Sequence, residues 1–132
     1  MQLGQAEELL AGPANTTLPT VVVCDCNSNA HGAGSDATAR YGLLIASGLT
    51  DAWTIKRPRA PGFTCCQAAD LSNARSSLAE RIGLVLVRGD VDVVRARVTG
   101  ARPAERTPRP ARLWASDHAG VVATLRLPRI PR

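Results

Sequence analysis

The segment VVVCDCNS at residues 21–28 is an apolar run that ends abruptly in polar side chains. The β-branched run, which begins at Leu18, is typical of a buried strand. Asp25 and Asn27 lie two residues apart at its C-terminal end, so their side chains project to the same side of the strand. Ligands tend to bind at this end of strands in α/β sheets. The pair is therefore a candidate functional site, although an aspartate at a strand end can instead cap the following turn.

A second polar cluster, Ser116-Asp117-His118, precedes the apolar run at residues 119–127. A carboxylate next to an imidazole can bind a hard cation while the imidazole contacts phosphate or transfers a proton. The alternative interpretation is a surface aspartate beside a loop histidine. The two clusters together suggest a site for a divalent metal and a phosphate.

The remaining pattern predicts a mixed α/β layer. Helices are expected at 3–11 and at 35–47, the second capped by Ser35 or Asp36 and ended by Gly48. Residues 50–61, rich in proline and basic side chains, are expected to form a loop. Strands are expected at 18–25, 63–66, 81–88, 91–99 and 119–127. A tight Gly89-Asp90 turn predicts that the strands at 81–88 and 91–99 form a hairpin.

Three of these strands, 19–25, 81–88 and 119–127, are apolar on both faces. A sheet built from such strands needs cover on two sides. Two short helices can cover one face. We therefore expect the other face of the sheet to be left without cover by this chain.

Length and composition indicate one domain with an aliphatic core. The chain has 132 residues, of which 45% are hydrophobic and only 3% aromatic. No apolar run approaches the ~20 residues of a membrane span. The first eight residues lack the basic start and apolar stretch of a signal peptide, so we expect the chain to stay where it is made.

The net charge of +5 comes almost entirely from arginine, since Lys56 is the only lysine. Arginine favours bidentate phosphate contacts, which makes anionic substrates plausible. The alternative is codon bias combined with a need for solubility. The segment from Arg102 to Arg112 could bind nucleic acid weakly and in a salt-dependent way.

The four cysteines form two pairs, Cys24/Cys26 and Cys65/Cys66. Cys24 and Cys26 share one face of the first strand, where small buried side chains are the favoured interpretation. A four-cysteine zinc site is the alternative, although the spacing is not that of a common zinc module. A disulfide between the adjacent Cys65 and Cys66 is disfavoured by geometry, while a bridge from either to another cysteine stays open.

Several segments resemble the endonuclease/exonuclease/phosphatase family, the DNase I-like metal-dependent phosphoesterases. Residues 21–28 resemble its Gly-Asp-Phe-Asn-Ser strand, and residues 48–53 (GLTDAW) resemble the segment that follows. Residues 62–67 (GFTCCQ) and then 80–87 (ERIGLVLV) resemble the region around its Arg-Ile-Asp-Leu strand, and residues 114–123 (WASDHAGVVA) resemble its closing Ser-Asp-His motif. The segment from Cys65 to Leu71 resembles bacterial, often exported, members.

The resemblance implies an Mg²⁺- or Mn²⁺-dependent hydrolase of phosphodiesters or phosphomonoesters. Carried over by position, Asp25 would orient or deprotonate the attacking water. Asn27 would bind the phosphate, Asp117 would hold the metal, and His118 would contact the scissile phosphate or transfer a proton. The substrate class spans nucleic acids, phospholipids and small phosphate esters.

The chain also departs from the family pattern. It matches only the C-terminal half of a two-sheet sandwich, so residues 1–132 are expected to form a partial domain that lacks the main metal-binding glutamate. Gly83 stands where the family has the aspartate that pairs with the catalytic histidine. We therefore expect one mainly antiparallel mixed sheet with helices on one face, and weak or no hydrolysis. The alternative is a non-catalytic chain that forms a homodimer or binds a complementing N-terminal half through its uncovered sheet face.

Overall fold

The computed structural model describes residues 3–31 and 36–128. Its helices and strands are, in chain order, α1 (Leu3–Ala11), β1 (Thr20–Asp25), α2 (Asp36–Ala46), β2 (Thr50–Asp51), α3 (Ala52–Lys56), β3 (Gly83–Arg88), β4 (Asp92–Thr99), a 3₁₀ helix (Pro103–Glu105) and β5 (Gly120–Arg126). The predicted cap at Ser35 lies outside the described residues. Within them, no helix is long and apolar enough to cross a membrane.

The larger sheet has the strand order β1-β3-β2, with both pairings antiparallel. Because side chains alternate along a strand, β3 presents Leu84 and Leu86 to one face of the sheet. Both leucines are buried with Leu44 of α2 and Ala6 of α1. The predicted α/β class, with helices on one face of an antiparallel sheet, is confirmed.

The opposite face of β3 is covered by the smaller sheet, in which β4 pairs with β5. Val85 and Val87 of β3 pack there against Val93 of β4 and Ala52 of α3. The expected bare face is therefore smaller than the sequence suggests. It is reduced to the outward side chains of β1, where Val21 and Val23 are 40% and 70% exposed.

The predicted hairpin between residues 81–88 and 91–99 is wrong. β3 is the central strand of its sheet, and its two edges are occupied by β1 and β2. No edge of β3 remains for β4, so the chain crosses to the other sheet at Gly89, whose φ of +79° suits a glycine. The turn at Gly89-Asp90 is present, but it connects strands of two different sheets instead of two strands that pair with each other.

Two further local predictions need correction. The expected loop at 50–61 contains β2 and α3, because the Asp51 side chain caps α3 by accepting a hydrogen bond from the Trp53 backbone N–H (2.8 Å). The expected strand at 63–66 is reduced to isolated bridges that Cys65 makes with Glu80 and His118.

The two cysteine pairs are each disulfide-bonded, Cys24 to Cys26 and Cys65 to Cys66. Cys26 is fully buried and Cys24 packs against the same apolar cluster, as predicted. The bond between adjacent cysteines was disfavoured from the sequence. That expectation is wrong, and both sulfurs of the bonded pair lie near the His118 ring.

Candidate functional site

The predicted site residues Asp25 and His118 meet where the two sheets come together. Asp25 ends β1 in the larger sheet, and His118 lies two residues before β5 in the smaller one. Both line a pocket of about 200 Å³. The other residues that line it are Val23, Cys24, Gly83, Leu84, Ala119, Gly120 and Val121.

The Asp25 carboxylate serves two partners at once. Its Oδ1 accepts a hydrogen bond from the Asn27 backbone N–H (3.2 Å), which is the turn-capping alternative considered from the sequence. Its Oδ2 lies 3.7 Å from Nδ1 of His118, within ion-pair range but longer than a hydrogen bond. The structural and the functional interpretations of Asp25 are therefore compatible.

Asn27 adopts a left-handed backbone conformation, with φ at +44°. Asparagine tolerates this region better than most residues, because its short polar side chain can bond locally. The Asn27 carbonyl accepts a hydrogen bond from the Arg40 guanidinium (2.8 Å), which ties the loop to α2. Arg40, which sequence reasoning missed, therefore holds this loop in place. The Asn27 side chain does not line the pocket.

Asp117 lies on an exposed loop that Ser116 shapes. The Ser116 hydroxyl donates to Asp117 Oδ1 (3.2 Å) and accepts from the His118 backbone N–H (3.1 Å). The Asp117 backbone carbonyl accepts from the Gln67 N–H (2.7 Å). Asp117 is not among the residues that line the pocket.

The segment 64–67 lies alongside 117–119 and brings two sulfurs to the histidine. The Ala119 N–H donates to the Thr64 carbonyl (2.8 Å), and the backbone of Cys65 forms an isolated antiparallel β-bridge with that of His118. Nε2 of His118 lies 3.7 Å from the sulfur of Cys65 and 3.8 Å from that of Cys66.

The alternative of a four-cysteine zinc site is wrong. Across residues 3–31 and 36–128, the group of three or more metal-ligating side chains within 4.8 Å of one another consists of Cys65, Cys66 and His118. It includes neither Cys24 nor Cys26, since their sulfurs belong to the strand face that packs against the helices.

Gln67 anchors this segment from behind, and sequence reasoning missed it. Its side chain is buried, and Oε1 accepts hydrogen bonds from the Ser77 backbone N–H and the Asn73 amide, both at 2.9 Å. Asn73 in turn holds Trp114 in place, because its backbone carbonyl accepts from the indole N–H (2.8 Å). The signal available was the adjacency of Gln67 to the cysteine pair.

Gly83 lies directly opposite Asp25 in the β1–β3 register and lines the pocket. The Thr64 hydroxyl is fully buried and accepts hydrogen bonds from the backbone N–H groups of Gly83 (2.9 Å) and Ile82 (3.0 Å). The Asp25 carboxylate, which faces His118, thus comes from the strand next to Gly83.

A buried ion pair between Arg81 and Asp51 fixes the start of β3, and sequence reasoning missed it as well. Both side chains are almost fully buried. Arg81 also donates to the Ala30 carbonyl (3.0 Å), and the Tyr41 hydroxyl donates to Asp51 (3.2 Å). The pKa of Tyr41 is raised above its ordinary value, first by burial and then by the Asp51 charge.

The arginine-rich segment from Arg102 to Arg112 is partly engaged within the molecule. Arg102 pairs with Glu105 and holds the pKa of that carboxyl down at about 2, chiefly by donating side-chain hydrogen bonds to it. The Arg106 guanidinium lies over the Trp114 ring, 5.6 Å from its centre. These contacts compete with phosphate binding by the same two side chains.

The oxygen ligands fit a magnesium ion held mainly by water and substrate. Mg²⁺ is commonly bound through one or two carboxylates plus substrate phosphate. Asp117 offers one exposed carboxylate beside His118, whereas Asp25 is engaged with Asn27 and His118. Asp117 thus offers a metal ion one exposed carboxylate, on the loop next to His118 but outside the residues that line the pocket.

Two solved structures share the fold of this chain. An endonuclease/exonuclease/phosphatase family protein from Leptotrichia buccalis C-1013-b aligns at 16% identity over 92% of this chain, with a TM-score of 0.60. An endonuclease/exonuclease/phosphatase from Beutenbergia cavernae DSM 12333 aligns at 24% identity over 95%, with a TM-score of 0.59.

The chain spans only 40% and 31% of the lengths of these two proteins. No protein-family model and no curated protein matches it. At these identities the likeness establishes the fold, and the predicted DNase I-like fragment is confirmed at that level.

Proposed function

We propose that this chain carries one part of a phosphoesterase site and hydrolyses phosphodiesters or phosphomonoesters weakly by itself. The observation that carries the proposal is the contact between Asp25 and His118 at a pocket between two sheets. A carboxylate facing one ring nitrogen of a histidine orients the ring, and the reacting group would meet the other nitrogen, Nε2, beside the sulfurs of Cys65 and Cys66.

His118 is the central residue of the proposed site. A protonated imidazole donates to a phosphate oxygen and stabilises charge that develops there. Asp25 faces Nδ1 at ion-pair distance (3.7 Å) and, by resemblance, orients the attacking water. The exposed Asn27 would bind the phosphate through its amide.

Mg²⁺ or Mn²⁺, held by Asp117, would supply polarisation of the phosphate when bound. With a single carboxylate as protein ligand, its affinity should be low unless substrate is present. Gly83 removes a second carboxylate from the pocket, which supports weak turnover. The proposed unit, residues 1–132, is the C-terminal half of a phosphoesterase domain.

The test is hydrolysis of bis(p-nitrophenyl) phosphate and p-nitrophenyl phosphate with Mg²⁺ or Mn²⁺, against EDTA. We expect slow metal-dependent turnover that falls by about 10²- to 10⁴-fold in His118→Ala, the usual contribution of a proton-transfer group. Asp117→Ala should raise the metal concentration required for activity.

Asp92→Ala is the matched control. Asp92 is an exposed aspartate on β4 that pairs with Arg126 instead of lining the pocket. Its activity should equal that of the unmodified chain. Turnover that survives in His118→Ala, or that is unaffected by EDTA, would refute the proposal.

A second candidate function is association with a second copy of the chain. β1 is an edge strand of the described sheet, and its outward side chains Val21 and Val23 are exposed. Edge strands with exposed β-branched residues readily pair with another strand. A complementing N-terminal half is the other possible occupant of this edge.

A further inference from the structure

We propose that Cys65, Cys66 and His118 form a zinc site once the disulfide between the two cysteines is reduced. Cys65 and Cys66 take no part in the proposed hydrolysis, whereas His118 is shared with it, and the three side chains belong to two separate segments of the chain. Their ligand atoms lie within 4.8 Å of one another. Two thiolates and one imidazole are ligands that zinc favours in proteins.

The two sulfur–nitrogen distances suit one tetrahedral ion. With Zn–S bonds of about 2.3 Å and a Zn–N bond of about 2.0–2.1 Å, tetrahedral angles place sulfur and nitrogen about 3.6 Å apart. Nε2 of His118 lies 3.7 Å from the sulfur of Cys65 and 3.8 Å from that of Cys66. Nε2 thus stands at ligand spacing from both sulfurs while they are bonded to each other, and reduction has to separate the sulfurs without moving either away from Nε2.

The surroundings of His118 support the same assignment. A histidine that binds zinc usually directs its other ring nitrogen to a carboxylate, which fixes the ring and raises its basicity. Nδ1 of His118 faces Asp25 Oδ2 at 3.7 Å while Nε2 faces the two sulfurs. Cys65 is buried and Cys66 exposed, so the site is anchored on one side and open to a water ligand on the other.

The chemistry balances with a dithiol as reductant. The Cys65–Cys66 bond accepts two electrons and two protons from the dithiol, which becomes a disulfide. Zinc then displaces the proton of each cysteine thiol and binds the neutral imidazole, so two protons are released for each ion. In the oxidised form the two sulfurs are bonded to each other and cannot bind zinc.

Zinc at this position would occupy Nε2 of His118. That nitrogen is the one left for phosphate in the proposed hydrolysis, so zinc binding would switch the hydrolysis off. This consequence rests on the proposed function, whereas the metal site itself does not.

The test measures zinc binding directly. The chain is reduced with a dithiol, freed of it under argon, and titrated with Zn²⁺ against a chromophoric chelator; Co²⁺ then reports thiolate ligation by its absorption. We expect one ion per reduced chain and none in the oxidised chain. Cys65→Ser, Cys66→Ser and His118→Ala should each weaken binding by more than about tenfold, and Asp25→Asn by about 10- to 100-fold.

Cys24→Ser/Cys26→Ser is the matched control, because it removes the other disulfide and leaves the proposed ligands intact. It should retain one zinc ion per reduced chain. Circular dichroism of each metal-free variant confirms that it is folded. Equal binding by oxidised and reduced chains, or zinc lost in the control but kept in Cys65→Ser, would overturn the proposal, whatever the outcome of the hydrolysis assay.

Discussion

At the scale of single residues, the buried cluster around Asp51 matters most for the position of the site. Arg81 pairs with Asp51 and also bonds the Ala30 carbonyl, so it ties β2 to the loop that follows Asp25. Breaking a buried pair by removing one partner typically costs about 3–5 kcal/mol, because an uncompensated charge is left behind. The pocket thus depends on residues that do not line it.

Tyr41 reports on this cluster, and it is the only tyrosine in the chain. We expect its phenol to titrate above the ordinary value of 10.0, because burial and the Asp51 charge both disfavour the phenolate. The folded state then holds a proton that the unfolded state loses. The contribution of Tyr41 to the free energy of unfolding is fully present below pH 10 and is lost as the pH rises through the raised pKa.

Phenolate absorbance against pH measures the Tyr41 pKa without interference from another tyrosine. The same titration in urea gives the value for the unfolded chain and serves as the control. A folded-state midpoint at or below the unfolded one would contradict the described burial of Tyr41 beside Asp51.

At the scale of elements, the short helix α3 is held by contacts at both ends. Asp51 caps its start, and the Trp53 indole N–H donates to the Ala60 carbonyl (2.7 Å) beyond its end. Gly62 passes directly over the Trp53 ring with φ at +66°. A Cβ at Gly62 would overlap the ring, which its hydrogen bond prevents from moving aside.

Gly62→Ala should therefore destabilise the protein by about 2–4 kcal/mol, from overpacking together with a strained positive φ. Gly42→Ala is the matched control, because Gly42 lies within α2 and a Cβ there meets nothing within 4 Å. That substitution should stabilise the protein by up to about 1 kcal/mol through helix propensity. Urea unfolding measures both; equal effects would contradict the described packing of Gly62 on Trp53.

At the scale of the whole molecule, other elements pack on both faces of the central strand of the larger sheet but leave part of β1 exposed. The helices bury one face, and β4 and β5 bury the other face of β3. β4 and β5 do not cover the outward side chains of β1, and its valines Val21 and Val23 remain in contact with solvent. The proposed site lies at the end of the same strand, so association along β1 would change access to the pocket.

We expect the purified chain to self-associate through β1. Sedimentation velocity should show an average mass that rises above 13.9 kDa with concentration. Val23→Lys should reduce this rise, because a lysine on an edge strand opposes strand pairing. Val122→Lys changes an exposed valine on β5 and should leave the rise unchanged. A monomer at all concentrations, or an effect of Val122→Lys alone, would refute association through β1.

The local sequence determined those elements whose periodicity and end signals agree. α1, α2, β1 and β5 lie close to their expected positions, because each has an apolar pattern bounded by glycine, proline or polar residues. The polar ends of β1 and of the loop before β5 likewise marked Asp25 and His118 as candidate site residues, and the structure brings the two side chains together. Their role in catalysis stays a prediction.

Only the tertiary structure decided how these elements combine. The hairpin signal at Gly89-Asp90 is local, whereas the partner of β3 depends on which strands occupy its edges. The approach of Cys65 and Cys66 to His118 joins segments more than 50 residues apart in the sequence, and no periodicity encodes it. Local patterns fix local conformation, but contacts between distant segments arise from the packing of the whole chain.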